Sequence, residues 1–266
     1  MSFYPIIDAH CHIYPDRIAA RATANTESFY GGLHAFANGT VSALLESGRK
    51  AGITHYVVQT VATSPAQVSG INRFIAETVE KSNGMMTGLG TLHPDSQHLR
   101  EDIEEMIALG LHGVKLHPDI QGFKIDDYRC LKIYELCEGR LPILMHTGDH
   151  RYDYSNPNRL LPVMKIFTEL TVVGAHLGGW SVWEDTEALA ELPNLYVDCS
   201  SCFPFRPPME IYPFMKQYGA QKILFGTDYP LWSPEAEMEA FLSLPFTEEE
   251  RRMILFENAR RVFKID

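Results

Sequence analysis

His10 and His12 stand two residues apart at the end of an apolar run that begins at Phe3 and reads Phe-Tyr-Pro-Ile-Ile-Asp-Ala-His-Cys-His. Alternate side chains of a strand share a face, so the two imidazoles point one way and Cys11 the other. Two neutral imidazoles at the mouth of a buried strand can share one divalent ion. Surface strands also carry His-x-His by chance, so the meaning of this pair turns on what ends the later strands. Those ends read His93, Lys115 and His117, His146, His176, Asp198 and Asp228, and more than half of the 11 histidines fall at such positions. Singly, His146 and His176 would be taken for core histidines and Asp228 for a turn residue. Together at successive strand ends they point to a site.

The elements that position these residues alternate. After the first strand, apolar β-branched runs recur at 54–61, 85–94, 112–118, 141–148, 171–179, 195–200 and 222–230. Stretches of helical character separate them, at 40–52, 65–84, 96–110, 126–138, up to 169, 183–192 and up to 218, with two more at 234–244 and 247–263. Residues 13–39 are too long for an ordinary connection and show little period, which marks a lid or binding loop. Eight strand–helix units are the number that closes a parallel barrel, whose strands are buried on both faces and read as continuous apolar runs. An open doubly wound sheet would need a glycine-rich turn after an early strand, and no G-x-G-x-x-G occurs there. The expected architecture is an α/β fold, a (β/α)₈ TIM barrel over residues 1–266 with the site at the C-terminal ends of its strands.

Composition narrows the function classes. A formal charge of −11, from 34 acidic against 23 basic residues, argues against nucleic acid or an anionic membrane as partner. Residues 1–5 form no basic n-region, and no apolar stretch approaches the ~18 residues of a membrane span, so a soluble, cytoplasmic protein is expected. Five cysteines suit reduced thiols, and Cys199 and Cys202 form a lone CxxC best read as two small thiols at a strand end. A homodimer is the default expectation for such a protein.

The order of motifs, from Asp8-Ala-His-Cys-His to Gly226-Thr-Asp228-Tyr-Pro, resembles the amidohydrolase superfamily. Within it, the resemblance is to the amidohydrolase-related branch that includes aminocarboxymuconate-semialdehyde decarboxylase and γ-resorcylate decarboxylase. The resemblance implies that His10, His12, His146 and Asp228 hold one divalent ion per chain, Zn²⁺ first and Mn²⁺ as the alternative. It implies that Asp228 also exchanges protons with water or substrate, and that His176 orients the water or polarises the substrate. Three neutral imidazoles leave an ion charged enough to bring its bound water's pKa to about 7, where a nearby carboxylate can take the proton. In binuclear members a carboxylated lysine on strand four bridges two ions; this branch generally lacks the bridge. Lys115 and His117, which share a face, are therefore read first as substrate contacts, with a second ion as the alternative. Asp8, on the face of His10 and His12 and one layer deeper, is the candidate that orients them.

Specificity should lie in the loops: Tyr14 and Arg17, then His150, Arg151 and Tyr152, then Trp180 and Arg206, a set suited to a small carboxylated molecule. The leading activity is a metal-dependent hydrolase using a metal-activated water on an amide, ester or lactone. The alternative is non-oxidative decarboxylation of a small unsaturated or aromatic acid with the same residues. A binding-only barrel would have lost ligand residues, and none is missing here.

Overall fold

A computed structural model describes residues 4–266; Phe3, where the sequence places the start of the first strand, lies outside them. Eight parallel strands form the barrel. They are β1 (Ile7–His12), β2 (His55–Gln59), β3 (Met86–Gly88, resuming at Gly90–Thr91), β4 (Val114–Leu116), β5 (Ile143–Met145), β6 (Val172–Gly174), β7 (Leu195–Asp198) and β8 (Ile223–Leu224). Neighbours pair in chain order. Backbone bonds from Ala9 to Phe225, from Asp228 to His10 and from His12 to Tyr229, at 2.8, 2.9 and 2.7 Å, join the chain after β8 to β1 and close the barrel. Full closure leaves no edge strand and puts all strand ends that carry histidine around one mouth.

Among the described residues eleven α-helices flank the strands: α1 (Asp16–Phe29), α2 (Val41–Lys50), α3 (Val68–Glu80), α4 (Leu99–Ala108), α5 (Pro118–Gln121), α6 (Leu131–Cys137), α7 (Leu160–Ile166), α8 (Pro208–Tyr218), α9 (Pro234–Leu242), α10 (Glu248–Arg252) and α11 (Asn258–Val262). Their limits follow local chemistry. Thr40 caps α2 by accepting the Ala43 amide, and Gly52, at φ +76°, ends that unit in the left-handed region. Thr247 and Glu250 form a capping box at α10.

Three sequence expectations change. Residues 16–29, expected as part of a lid or loop, are the helix α1. Its helical propensity comes from Ala19, Ala20, Ala22 and Ala24, its composition is the most polar of the longer helices, and only Ala19 and Thr23 are buried. The helix after β6 is a 3₁₀ segment, Trp183–Leu189. The last helix is interrupted by a π turn at Met253–Glu257, where the Ile254 carbonyl accepts the Phe225 amide at 3.0 Å. Beyond that turn Ala259, Val262 and Phe263 join Val57, Leu144 and Leu224 in the apolar cluster that fills the barrel.

The alternation of β1 also departs from the simple pattern. Between the pairs Asp8–Tyr56 and Cys11–Val58, β1 advances three residues while β2 advances two, a β-bulge. Ile7 and Ala9 join the inner cluster, so Asp8 between them faces away from it and not beneath His10. The extra residue re-aims the chain so that His10 and His12 reach the mouth.

The mouth is tightly built. Gly148, at φ +83° just after β5, lies so close to the chain after β6 that an added Cβ would stand 2.4 Å from Gly179 C and Trp180 N. We expect Gly148→Ala to lower unfolding stability by about 3 kcal/mol or more in urea titration, from strain and overpacking together. A loss under about 1 kcal/mol would contradict this packing.

Candidate metal centre

His10 is fully buried, and its two nitrogens have different tasks. Nδ1 lies 2.9 Å from Asp198 Oδ2 and 3.2 Å from Ser200 Oγ. The carboxylate can only accept, so Nδ1 carries the hydrogen and Nε2 is a bare lone pair. His10 Nε2 lies 3.2 Å from His12 Nε2, and Asp228 Oδ1 stands 3.4 and 3.5 Å from these two nitrogens. Ligand atoms about 2.0–2.1 Å from a tetrahedral ion are about 3.3 Å apart, so the three atoms are spaced as one ion requires. Burial, first of all, pushes both imidazoles well below their ordinary pKa, followed by the nearby Lys115 charge, so both stay neutral and able to ligate.

Two other groups of three could in principle hold an ion: His10, His176 and Asp198, and His117, Asp119 and His146. The first spends its atoms internally, because Asp198 accepts from His10 Nδ1 and from the amides of His176 and Ser200 at 3.2 and 3.0 Å. In the second, the rings of His117 and His146 stack with centroids 3.9 Å apart and planes at 7°. Lone pairs lie in the ring plane, so two parallel stacked rings cannot both aim at one point between them.

His146 stands at the side of the first group rather than within it. Its Nδ1 is 3.1 Å from His176 Nε2, and its Nε2, without a hydrogen-bond partner, is 3.7 Å from Asp119 Oδ2. His176 is fixed through Nδ1, 2.9 Å from the Ser200 carbonyl, so its Nε2 is an acceptor that faces His146. Burial lowers the pKa of His176 to about 4. A neutral His146 has one hydrogen and can serve either His176 or Asp119 with it, not both.

Asp228 is seated by Ser201 Oγ, which donates to its Oδ2 at 2.6 Å. Lys115 is fully buried with Nζ 3.2 Å from His10 Nε2 and close to Asp228. Burial raises the Asp228 carboxyl and lowers the Lys115 ammonium, each drawn towards neutrality. His176, Ser201 and Asp228 all have φ between +54° and +58° without being glycine. Such strain concentrates where side chains are held for function.

The cavity above this floor has a volume of about 610 Å³, and Tyr14, Arg17, Lys115 and His117 line it. Trp180 borders a small side pocket instead. Arg151 is a strap: it grips Asp149 through Nε and Nη2 at 2.9 and 2.6 Å and donates from Nη1 to the Phe29 carbonyl at 2.6 Å. Its guanidinium lies 5.1–5.2 Å from the ring centroids of Phe29, Tyr30 and Tyr152. Arg206 pairs with Glu184, and His150 bonds Ser181, both away from the cavity. Asp8 accepts from Thr227 N and Oγ1 at 3.0 and 2.6 Å, latching β1 to the segment that carries Asp228, and touches no imidazole. All five cysteines are buried and reduced.

The family model described as amidohydrolase matches residues 7–265. The chain belongs to the amidohydrolase family. No curated protein matches. Among solved structures, an uncharacterised TIM-barrel protein of Bordetella bronchiseptica is 23% identical, covering 98% of this chain and 99% of that one at TM-score 0.78. A dihydroxybenzoic acid decarboxylase of a Polaromonas species, with bound manganese and the inhibitor 2-nitroresorcinol, is 15% identical over 98% and 97% at 0.75. A candidate 2-pyrone-4,6-dicarboxylic acid hydrolase of Pseudomonas putida is 18% identical over 98% and 98% at 0.70. These likenesses establish the TIM-barrel fold. No helix among the described residues is long and apolar enough to cross a membrane.

For this amidohydrolase-family chain the sequence did not single out four residues that the site uses. Tyr30 Oη lies 2.9 Å from His117 Nε2, while His117 Nδ1 accepts the Ile120 amide at 3.3 Å, so Nε2–H donates to Tyr30 and the phenol hydrogen is free. Asp198 was visible as a strand end but not as the partner of His10. Ser201 and Asp119 had no signal, since their role depends on the turn that carries them.

A divalent ion at His10, His12 and Asp228 needs Asp228 deprotonated and the Lys115 ammonium moved or neutralised. Zn²⁺ or Mn²⁺ binding should therefore release protons at about pH 6, read by calorimetry in buffers of different ionisation enthalpy. No proton release at that pH would contradict this ligand set.

Proposed function

We propose that the protein is a metal-dependent hydrolase that opens an amide, ester or lactone bond in a small carboxylated molecule. The observation that carries this reading is the position of Asp228, whose Oδ1 faces two imidazole nitrogens while Ser201 fixes its Oδ2. Zinc or manganese held by His10, His12 and Asp228, with His146 swung in as the fourth ligand, would supply Lewis acidity and acidify a water. Asp228 takes a proton from the attacking water through Oδ2, which keeps one lone pair beside the Ser201 hydrogen, and returns it to the leaving group. His176 Nε2, an acceptor because Nδ1 is tied to Ser200, orients that water. Lys115 holds the substrate carboxylate near the floor, and the free phenol hydrogen of Tyr30 meets oxygen charge that develops during attack. Tyr14 and Arg17 contact the substrate from the cavity wall, with His117 behind Tyr30.

A second reading, non-oxidative decarboxylation, is favoured by the raised Asp228 carboxyl, which can hold a proton for delivery to carbon. The decarboxylases among the structural relatives support it too. The reactions part at their products. In ¹⁸O-labelled water, a hydrolase places label in the product acid, and a decarboxylase releases CO₂ and leaves the organic product unlabelled. Neither outcome, across carboxylated lactones, esters and aromatic acids with metal-loaded protein, would sink both. His176→Asn should lower kcat by roughly 10²–10⁴-fold with metal content unchanged; unchanged kcat would remove His176 from the reaction.

A further inference from the structure

One wall of the cavity carries charge that nothing answers. Arg17 and Arg21 lie four residues apart on α1, which puts them one turn apart on the same face, and both line the cavity and are exposed. Eight other arginines close an ion pair with Asp or Glu. Neither of these two does so among the described residues, in a chain with 34 acidic residues against 23 basic ones. Their places also work against the helix. Like charges four apart weaken it, and Arg17 sits in the first turn, where the helix dipole disfavours a cation. Arg49 and Lys50, by contrast, occupy the last turn of α2, where the dipole favours them. Neither the charge pairing nor the helix dipole favours Arg17 and Arg21 where they are.

Their surroundings indicate what they meet. Ile18 and Ala22 alternate with them on the same helix, and Ile71 and Phe74 of α3 also line the cavity. The lining thus combines a polar floor at His10, His12, Lys115 and Asp228, an apolar stretch, and a pair of free guanidiniums.

We propose that the substrate carries a second anionic oxygen group, a carboxylate or phosphate, held by Arg17 and Arg21 across an apolar spacer from the group that reacts at the floor. This rests on the cavity being the substrate site, and it narrows the substrate class to elongated dianions. Guanidinium forks bind such oxyanions in pairs of parallel hydrogen bonds.

The test is binding of straight-chain dicarboxylates of increasing length to the metal-loaded protein, measured by calorimetry beside monocarboxylates of equal length. The matching ω-phosphonocarboxylates complete the set. Affinity for one of the dianion series should peak at a particular length and exceed the equal-length monocarboxylate by roughly tenfold or more, with the tighter series naming the group. The double variant Arg17→Gln/Arg21→Gln should bring that dianion down to the monocarboxylate's affinity, with monocarboxylate binding and metal content unchanged. Arg100→Gln, an exposed residue of α4, should change neither. Dianions no tighter than monoanions, or a double variant that weakens both alike, would overturn the proposal while leaving the reactive floor intact. If no acid of any series binds, the cavity is not a carboxylate site and the wider reading fails with it.

Discussion

The contact between Asp198 and His10 decides which imidazole nitrogens at the barrel mouth carry hydrogen. A carboxylate on Nδ1 forces the lone pair to Nε2, and Nε2 is the atom that faces His12 and Asp228. Asp198 also takes the amides of His176 and Ser200, so the same carboxylate ties β1 to the chain after β6 and β7. The Ser200 carbonyl then fixes the hydrogen of His176. Without these two contacts the burial that keeps the imidazoles neutral would leave their tautomers undefined, and neutral rings with undefined tautomers are not a ligand set.

The barrel supplies the stage for that contact through local departures from regular structure. The bulge in β1 turns His10 and His12 to the mouth, and the left-handed residues His176, Ser201 and Asp228 turn the chain sharply where strands end. Each costs some stability, offset by the closed sheet and the apolar cluster packed inside it. Gly148 and Gly179 let the loops after β5 and β6 touch, which keeps His146 and His176 adjacent. Above them α1 lies over the cavity, pinned at its end by the Arg151 strap and by Tyr30 on His117.

Most of the barrel could be read from the sequence because buried parallel strands are continuous apolar runs and their ends carried unusual residues. His10, His12, His176 and Asp228 stand around the barrel mouth, where that pattern placed them. What stayed hidden depends on geometry that no spacing encodes. A bulge shifts the face of Asp8, so the residue expected to orient His10 instead holds Thr227, and Asp198, distant in sequence, does the orienting. The helix α1 escaped notice because it is the most polar of the longer helices, with few strongly apolar residues to mark its buried face. His146 was expected to share one ion with His10, His12 and Asp228, yet its ring is engaged between His176 and Asp119, a placement that only packing decides.

The most direct measurement is anomalous diffraction from crystals soaked in Mn²⁺. A single strong peak within coordination distance of His10 Nε2, His12 Nε2 and Asp228 Oδ1 is the predicted result, about 2.0–2.2 Å from each atom. A peak centred instead between His117, Asp119 and His146, or none at full soak, would contradict a centre built on the lone pair that Asp198 exposes.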